Sequence, residues 1–184
     1  MNRAFILVLS TLVISMISLV AQEIPEDSLY LGQTPPGNIP QIFNLPVTSG
    51  HRACERITIS SDGKEIYYGE LNTYPPTSYR VRCFKYLDNK WQGPFNVFEG
   101  FIAPKLSVND SIIYMQNNIF YTYFSIRTDS GWSVPVRLIS KNLRTHYLQE
   151  TNLNNIYASS YYEGSPTDGN LCKLITVNQD TILQ

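Results

Sequence analysis

One short pattern recurs along this chain and limits its folding more than any other feature. The stretch "RITISSDGKEIYYGEL", residues 56–71, is an alternating run, a turn at Ser61 to Lys64 built on Asp62 and Gly63, and a second run that carries two tyrosines, Tyr67 and Tyr68. The pattern returns in "APKLSVNDSIIYMQ", turning at Asn109 and Asp110, and in "HYLQETNLNNIYASSYY", turning at Asn154 and Asn155. A second hairpin follows each time: "SYRVRCFKYLDNKWQGPFNVF" turns at Asp88 to Lys90, "IFYTYFSIRTDSGWSVPVRLIS" at Asp129 to Gly131, and "NLCKLITVNQDTILQ" at Asn178 to Asp180. Alternation with period two marks half-buried strands, and Asp, Asn and Gly supply the left-handed or Asx-turn geometry of tight hairpins. Corresponding points recur about every 40 to 50 residues, the interval of a four-stranded repeat unit. The expected fold is therefore all-β, with three four-stranded antiparallel units over about 51–100, 101–142 and 143–184. Trp91 and Trp132 open corresponding outer strands, each with a proline three residues later, and proline suits an edge strand whose outward amide needs no partner.

Composition agrees. Thirteen tyrosines, eight phenylalanines and two tryptophans favour a pleated, half-buried surface, and a net charge of −1 without a basic cluster excludes a nucleic-acid partner. Residues 1–21 begin with Arg3, run uncharged from Ala4 to Val20 and end on the small residue Ala21, the form of a cleaved secretory signal peptide. The sequence thus predicts an exported chain, periplasmic, cell-surface associated or extracellular, with no stable membrane span after processing. Residues 22–50 carry five prolines and three glycines, so they read as an extended lead-in. Its apolar residues Leu29, Tyr30, Leu31, Ile42, Phe43 and Leu45 predict packing against the domain that spans 51–184. Cys54, Cys83 and Cys172 lie too far apart for a disulfide framework or a metal-ligand spacing; buried thiols and one bridge both remain open.

At "ITISSDGKEIYYGEL" the chain resembles the WD-repeat-like β-propeller repeats of exported bacterial proteins of the TolB type, whose blades open on F-S-P-D-G-K-x-I-Y-F. Asp62, Gly63, Lys64, Ile66 and Tyr67 match that pattern, and Ser60 and Ser61 stand at its Ser-Pro. "GWSVPVRL" is similar to the family's W-S-x-P-x-x-L, and "YLGQTPPGNIPQIF" to segments that precede such propellers. The resemblance implies that the three units are propeller blades. Six blades, the usual number in that family, need roughly 240 to 280 residues, whereas about 134 follow Gly50. Three blades cannot close a ring, so the expectation is a truncated product or an open fan that meets a partner.

Chemistry is sparse. His51 and His146 are the only histidines, and no G-x-S-x-G elbow or H-E-x-x-H pair accompanies them. Asp62, Asp110, Asp129 and Asp168 all fall in turns, where fixing the turn accounts for them. The sequence predicts no catalytic residues, no metal ligands and no cofactor. Asp62, Gly63, Trp91, Asp110 and Trp132 serve as markers of the repeat. Tyr67, Tyr114 and Tyr157 recur at one place in the second strand of each unit, as a packing position does. Tyr74, Tyr79, Tyr161 and Tyr162 flank the longer loops, where aromatics held on a rigid scaffold stack on sugars or dock peptides. The function expected is a non-catalytic binding or scaffold module whose partner is another protein, a second copy of the chain or a glycan. The alternative is the propeller module of a secreted hydrolase or peptidase whose catalytic part is missing.

Overall fold

The computed structural model describes residues 23–184 apart from 36, 140–142, 154, 163–168, 178–179 and 184, with backbone alone at 143, 161–162, 176–177, 180 and 181–183. The expected leader at 1–21 and the turn residues Asn154 and Asn178 lie outside the described residues. The chain is all-β, as the alternation requires. Among the described residues three antiparallel sheets follow one another, each built from consecutive strands. The first contains β1 (Arg52–Ile59), β2 (Glu65–Leu71), β3 (Tyr79–Leu87) and β4 (Lys90–Glu99) in that order. The second contains β5 (Ile102–Leu106), β6 (Ile112–Gln116) and β7 (Thr122–Thr128), and its edge is split into β8 (Gly131–Trp132) and β9 (Val136–Arg137), which both pair with β7. The third contains β10 (Leu143–Glu150), β11 (Ile156–Tyr162), β12 (Asn170–Val177) and β13 (Asp180–Leu183). Among the described residues no helix is long and apolar enough to cross a membrane.

The turn chemistry repeats atom for atom. Ser60 Oγ donates to Asp62 Oδ1 at 2.6 Å and accepts from the Glu65 amide at 2.9 Å, and Asp62 Oδ1 also accepts from the Lys64 amide. In the second sheet Ser107 Oγ donates to Asn109 Oδ1 at 2.8 Å and accepts from the Ile112 amide at 3.0 Å. Asp62 therefore corresponds to Asn109, and the marker Asp110 stands where the first turn has Gly63. Both take a left-handed backbone, with φ of 75° at Gly63 and 58° at Asp110. Between β3 and β4, Asp88 and Asn89 have φ of 51° and 62°, the two-residue turn that matches strand twist. Trp91 pairs opposite Tyr86 and Trp132 opposite Arg127, whose amides bond to the corresponding carbonyls of Lys64 and Ser111. The two tryptophans thus occupy one repeat position.

Neighbouring sheets stack through two kinds of face. One carries Tyr67 in the first sheet; with Val81, Cys83 and Phe98 it packs against Leu106, Ile113 and Met115 of the second. Its counterpart in the second sheet carries Tyr114, which packs against Leu148, Ala158 and Leu174 of the third. Burying each such side chain stabilises by roughly 1.5–3 kcal/mol, so these seams hold the sheets together. The opposite face of the first sheet, with Ile66, Tyr68 and Phe84, is covered by the lead-in through Leu31, Phe43 and Leu45. Ile42 departs from expectation: it is 96% exposed, because it points away in an extended segment whose next residue, Phe43, points inward. Tyr30 likewise stays about half exposed. All three cysteines are free thiols, Cys83 buried and Cys54 and Cys172 partly so.

Candidate functional site

The first strands of the sheets, β1, β5 and β10, share an irregularity. Pairing slips between Cys54 and Ile57, between Ile102 and Lys105, and between His146 and Gln149. At each slip one residue adopts left-handed φ: Glu55 at 65°, Ala103 at 53° and Tyr147 at 51°. None is glycine, so each conformation costs of order 1 kcal/mol or more and is held by surrounding structure. A bulge adds a residue and re-aims side chains, which is why bulges gather beside functional sites. Here they bring the first and third sheets together. Tyr147 Oη donates to Glu55 Oε2 at 3.1 Å, and Arg56 Nη1 donates to the Leu148 carbonyl oxygen at 2.6 Å. The Arg56 guanidinium also lies 5.4 Å from the centre of the Tyr147 ring, a cation–π contact.

Aromatic rings extend the cluster. His146 meets Tyr147 edge-on with ring centres 4.2 Å apart, and Phe120 meets His146 at 4.5 Å. Burial lowers the His146 pKa, with Glu55 opposing and Arg56 adding to that effect. Burial lowers Arg56 as well, offset in part by the Tyr147 phenol. The Tyr147 phenol is pushed up by burial and then by Glu55, with Arg56 opposing and the Tyr74 phenol adding in the upward direction.

Of the predicted loop tyrosines whose side chains are described, Tyr74 stands well out of the surface, at 70% exposure. Its loop is firmly tied: Asn72 Oδ1 accepts from the amides of Thr73, Thr77 and Ser78 at 2.8–3.1 Å, and Asn72 Nδ2 donates to Thr77 Oγ1. Tyr79 is half-buried as the first residue of β3, opposite Leu71. Tyr161 and Tyr162 end β11, paired with Arg144 and Leu143, and their side chains lie outside the described residues. The sequence missed Glu55, Arg56 and Tyr147. Nothing in "ACERI" or "THYLQ" signals a bulge, and only the positive φ shared by three first strands reveals it.

Beside the loop, His51 Nε2 lies 3.3 Å from Ser78 Oγ, and His51 Nδ1 lies 3.3 Å from the Ser49 carbonyl oxygen. Arg80 Nη2 approaches both His51 Nε2 and Ser78 Oγ at 3.3 Å, and its Nε faces the buried Glu70 carboxylate at 3.3 Å. At the other end of the strands the two Asx turns meet, as the Ser61 amide donates to Asp110 Oδ2 at 2.7 Å. They open on a cleft of about 470 Å³ that charged residues border, among them Lys64, Glu65, Lys85 and Arg127. Positive and negative groups balance there, and Glu65 is already engaged by Arg127, Lys85 and Tyr67. No group of three or more His, Cys, Asp or Glu able to hold a metal occurs among the described residues. Comparison with protein-family models finds no match, and comparison with curated proteins finds none either.

Proposed function

We propose that this chain is an exported, non-catalytic binding module of the β-propeller type, similar to the TolB-type repeats, with its three sheets as blades. Its partner, a glycan or a protein segment, is held over the bulged first strands. The observation that carries this reading is the juxtaposition of Glu55, Arg56 and Tyr147 on the bulged strands, and Tyr74 adds a ring that stands 70% exposed on a tied loop. An exposed aromatic face offers stacking, the carboxylate accepts hydroxyl or amide hydrogens, and the guanidinium donates in a fixed plane. Export is supported by the form of residues 1–21.

A glycan array and an envelope pull-down, run with wild type, Tyr74→Ala and Glu55→Gln, test the reading. Losing the Tyr74 stack costs about 0.5–1.5 kcal/mol beyond area, or roughly twofold to twelvefold in affinity. Ligands that bind equally well to both variants would refute it, and amino-terminal sequencing of the exported protein should begin near Gln22. The Ser78 and His51 contact favours a second reading, a hydrolase module with Ser78 as nucleophile. Labelling of Ser78 by a fluorophosphonate would support it, although Arg80 competes for the same imidazole nitrogen.

A further inference from the structure

The two sheet faces form a matched pair, and one member of the pair is occupied by something other than a sheet. Where successive sheets stack, the tyrosine face of the earlier one receives the isoleucine face of the later: Tyr67 against Ile113 and Met115, then Tyr114 against Ala158 and Ile156. Among the described residues two faces have no sheet against them. The isoleucine face of the first sheet, Ile66 and Tyr68, lies under the lead-in. The tyrosine face of the third sheet carries Tyr157 opposite Lys173 and Ser159 opposite Leu171, and Leu171 is 78% exposed.

The lead-in imitates a preceding sheet in detail. Trp132 Nε1 donates to Tyr67 Oη in the sheet before it, whereas Trp91, at the same repeat position, donates to the Ser28 carbonyl oxygen of the lead-in at 2.6 Å. The Thr48 amide donates to Glu70 Oε2, and Tyr68 Oη donates to the Pro46 carbonyl oxygen, so the lead-in also satisfies buried polar groups. Its cover is incomplete. An apolar hollow of about 370 Å³ remains between it and β1, where Ile57 and Ile59 are 46% and 52% exposed.

We propose that the lead-in is a releasable plug on an assembly face, and that once released it lets the Ile66 and Tyr68 face of one copy receive the Tyr157 face of a second copy. The contact is heterologous, so copies joined this way close into a ring or continue as a filament. The proposal is independent of what binds the bulged strands.

Sedimentation of the purified full chain tests it. Wild type is expected at the mass of one copy, and Phe43→Asp/Leu45→Asp, which expels the lead-in, at twice that mass or more with a concentration dependence. Adding Tyr157→Arg to that variant should restore the single-copy mass. Trp91→Phe keeps an aromatic ring, removes the bond to Ser28 with little loss of packing volume, and should shift the mass in the same direction at higher concentration; this covers the case in which the charged pair fails to fold. A released variant that stays single-copy, or an assembly indifferent to Tyr157→Arg, overturns the proposal.

Discussion

Glu65 is the charged rivet between the first two sheets, and neutralising it should loosen that seam by a calculable amount. Its side chain is 15% exposed and bonds Arg127 across the seam at 2.6 Å, Lys85 at 3.0 Å and Tyr67 Oη at 2.9 Å. Glu65→Gln preserves shape but turns an amide towards a site lined by donors. Bonds to charged groups contribute about 1.5–3 kcal/mol each and do not sum, and breaking a fully buried ion pair costs about 3–5 kcal/mol. Lys85 and Arg127 are about one-third exposed and regain water, which sets the expectation nearer 2 kcal/mol. For a chain of this length that lowers Tm by roughly 4–8 °C.

The pH dependence gives a sharper test. Burial alone raises the Glu65 pKa, but the bonds from Arg127, Lys85 and Tyr67 outweigh it and hold the carboxyl below its ordinary value. The unfolded chain therefore takes up the proton more readily, so the rivet's contribution is complete above about pH 5 and fades as pH falls through the depressed value. Urea titrations of wild type and Glu65→Gln should accordingly converge in acid. A gap below about 0.5 kcal/mol at pH 7, or a Glu65/Arg127 double-mutant cycle without coupling, would refute the rivet.

Two further outcomes follow from the same seam. A Cβ at Gly69 would stand 2.9 Å from the Cys54 carbonyl oxygen and 3.4 Å from the Ala103 amide nitrogen, backbone atoms that cannot step aside, so Gly69→Ala should destabilise by about 1–3 kcal/mol in a urea titration. The Cys83 thiol is buried and pushed up to about 12, chiefly by burial, so it should resist alkylation at pH 8 until the chain unfolds; labelling at the rate of a free thiol would place it outside the core.

The hairpins were legible because their signals are local. Asp62 with Gly63, and Asp88 with Asn89, are residues chosen for left-handed or Asx-turn backbone; β4 begins directly after the second pair and β2 one residue beyond the first. The paired tryptophans were legible as a repeat, but their partners were not: one bonds a neighbouring sheet and the other the lead-in. The bulges left no trace. Glu55, Ala103 and Tyr147 are ordinary strand residues forced to positive φ where first strands crowd together, a tertiary constraint that a one-dimensional pattern does not carry. Of the candidate site, Tyr74 was visible as a loop aromatic, whereas Arg56 opened a predicted strand run and Glu55 stood just before it with nothing to distinguish them.

The lead-in's position also bears on the order in which the protein can be made. Each isoleucine face is covered by residues that come earlier in the chain: the lead-in precedes the first sheet, the first precedes the second, and the second precedes the third. A chain emerging from its amino terminus therefore finds the partner for each new sheet already present, and no sheet must wait with that face bare for residues still to come.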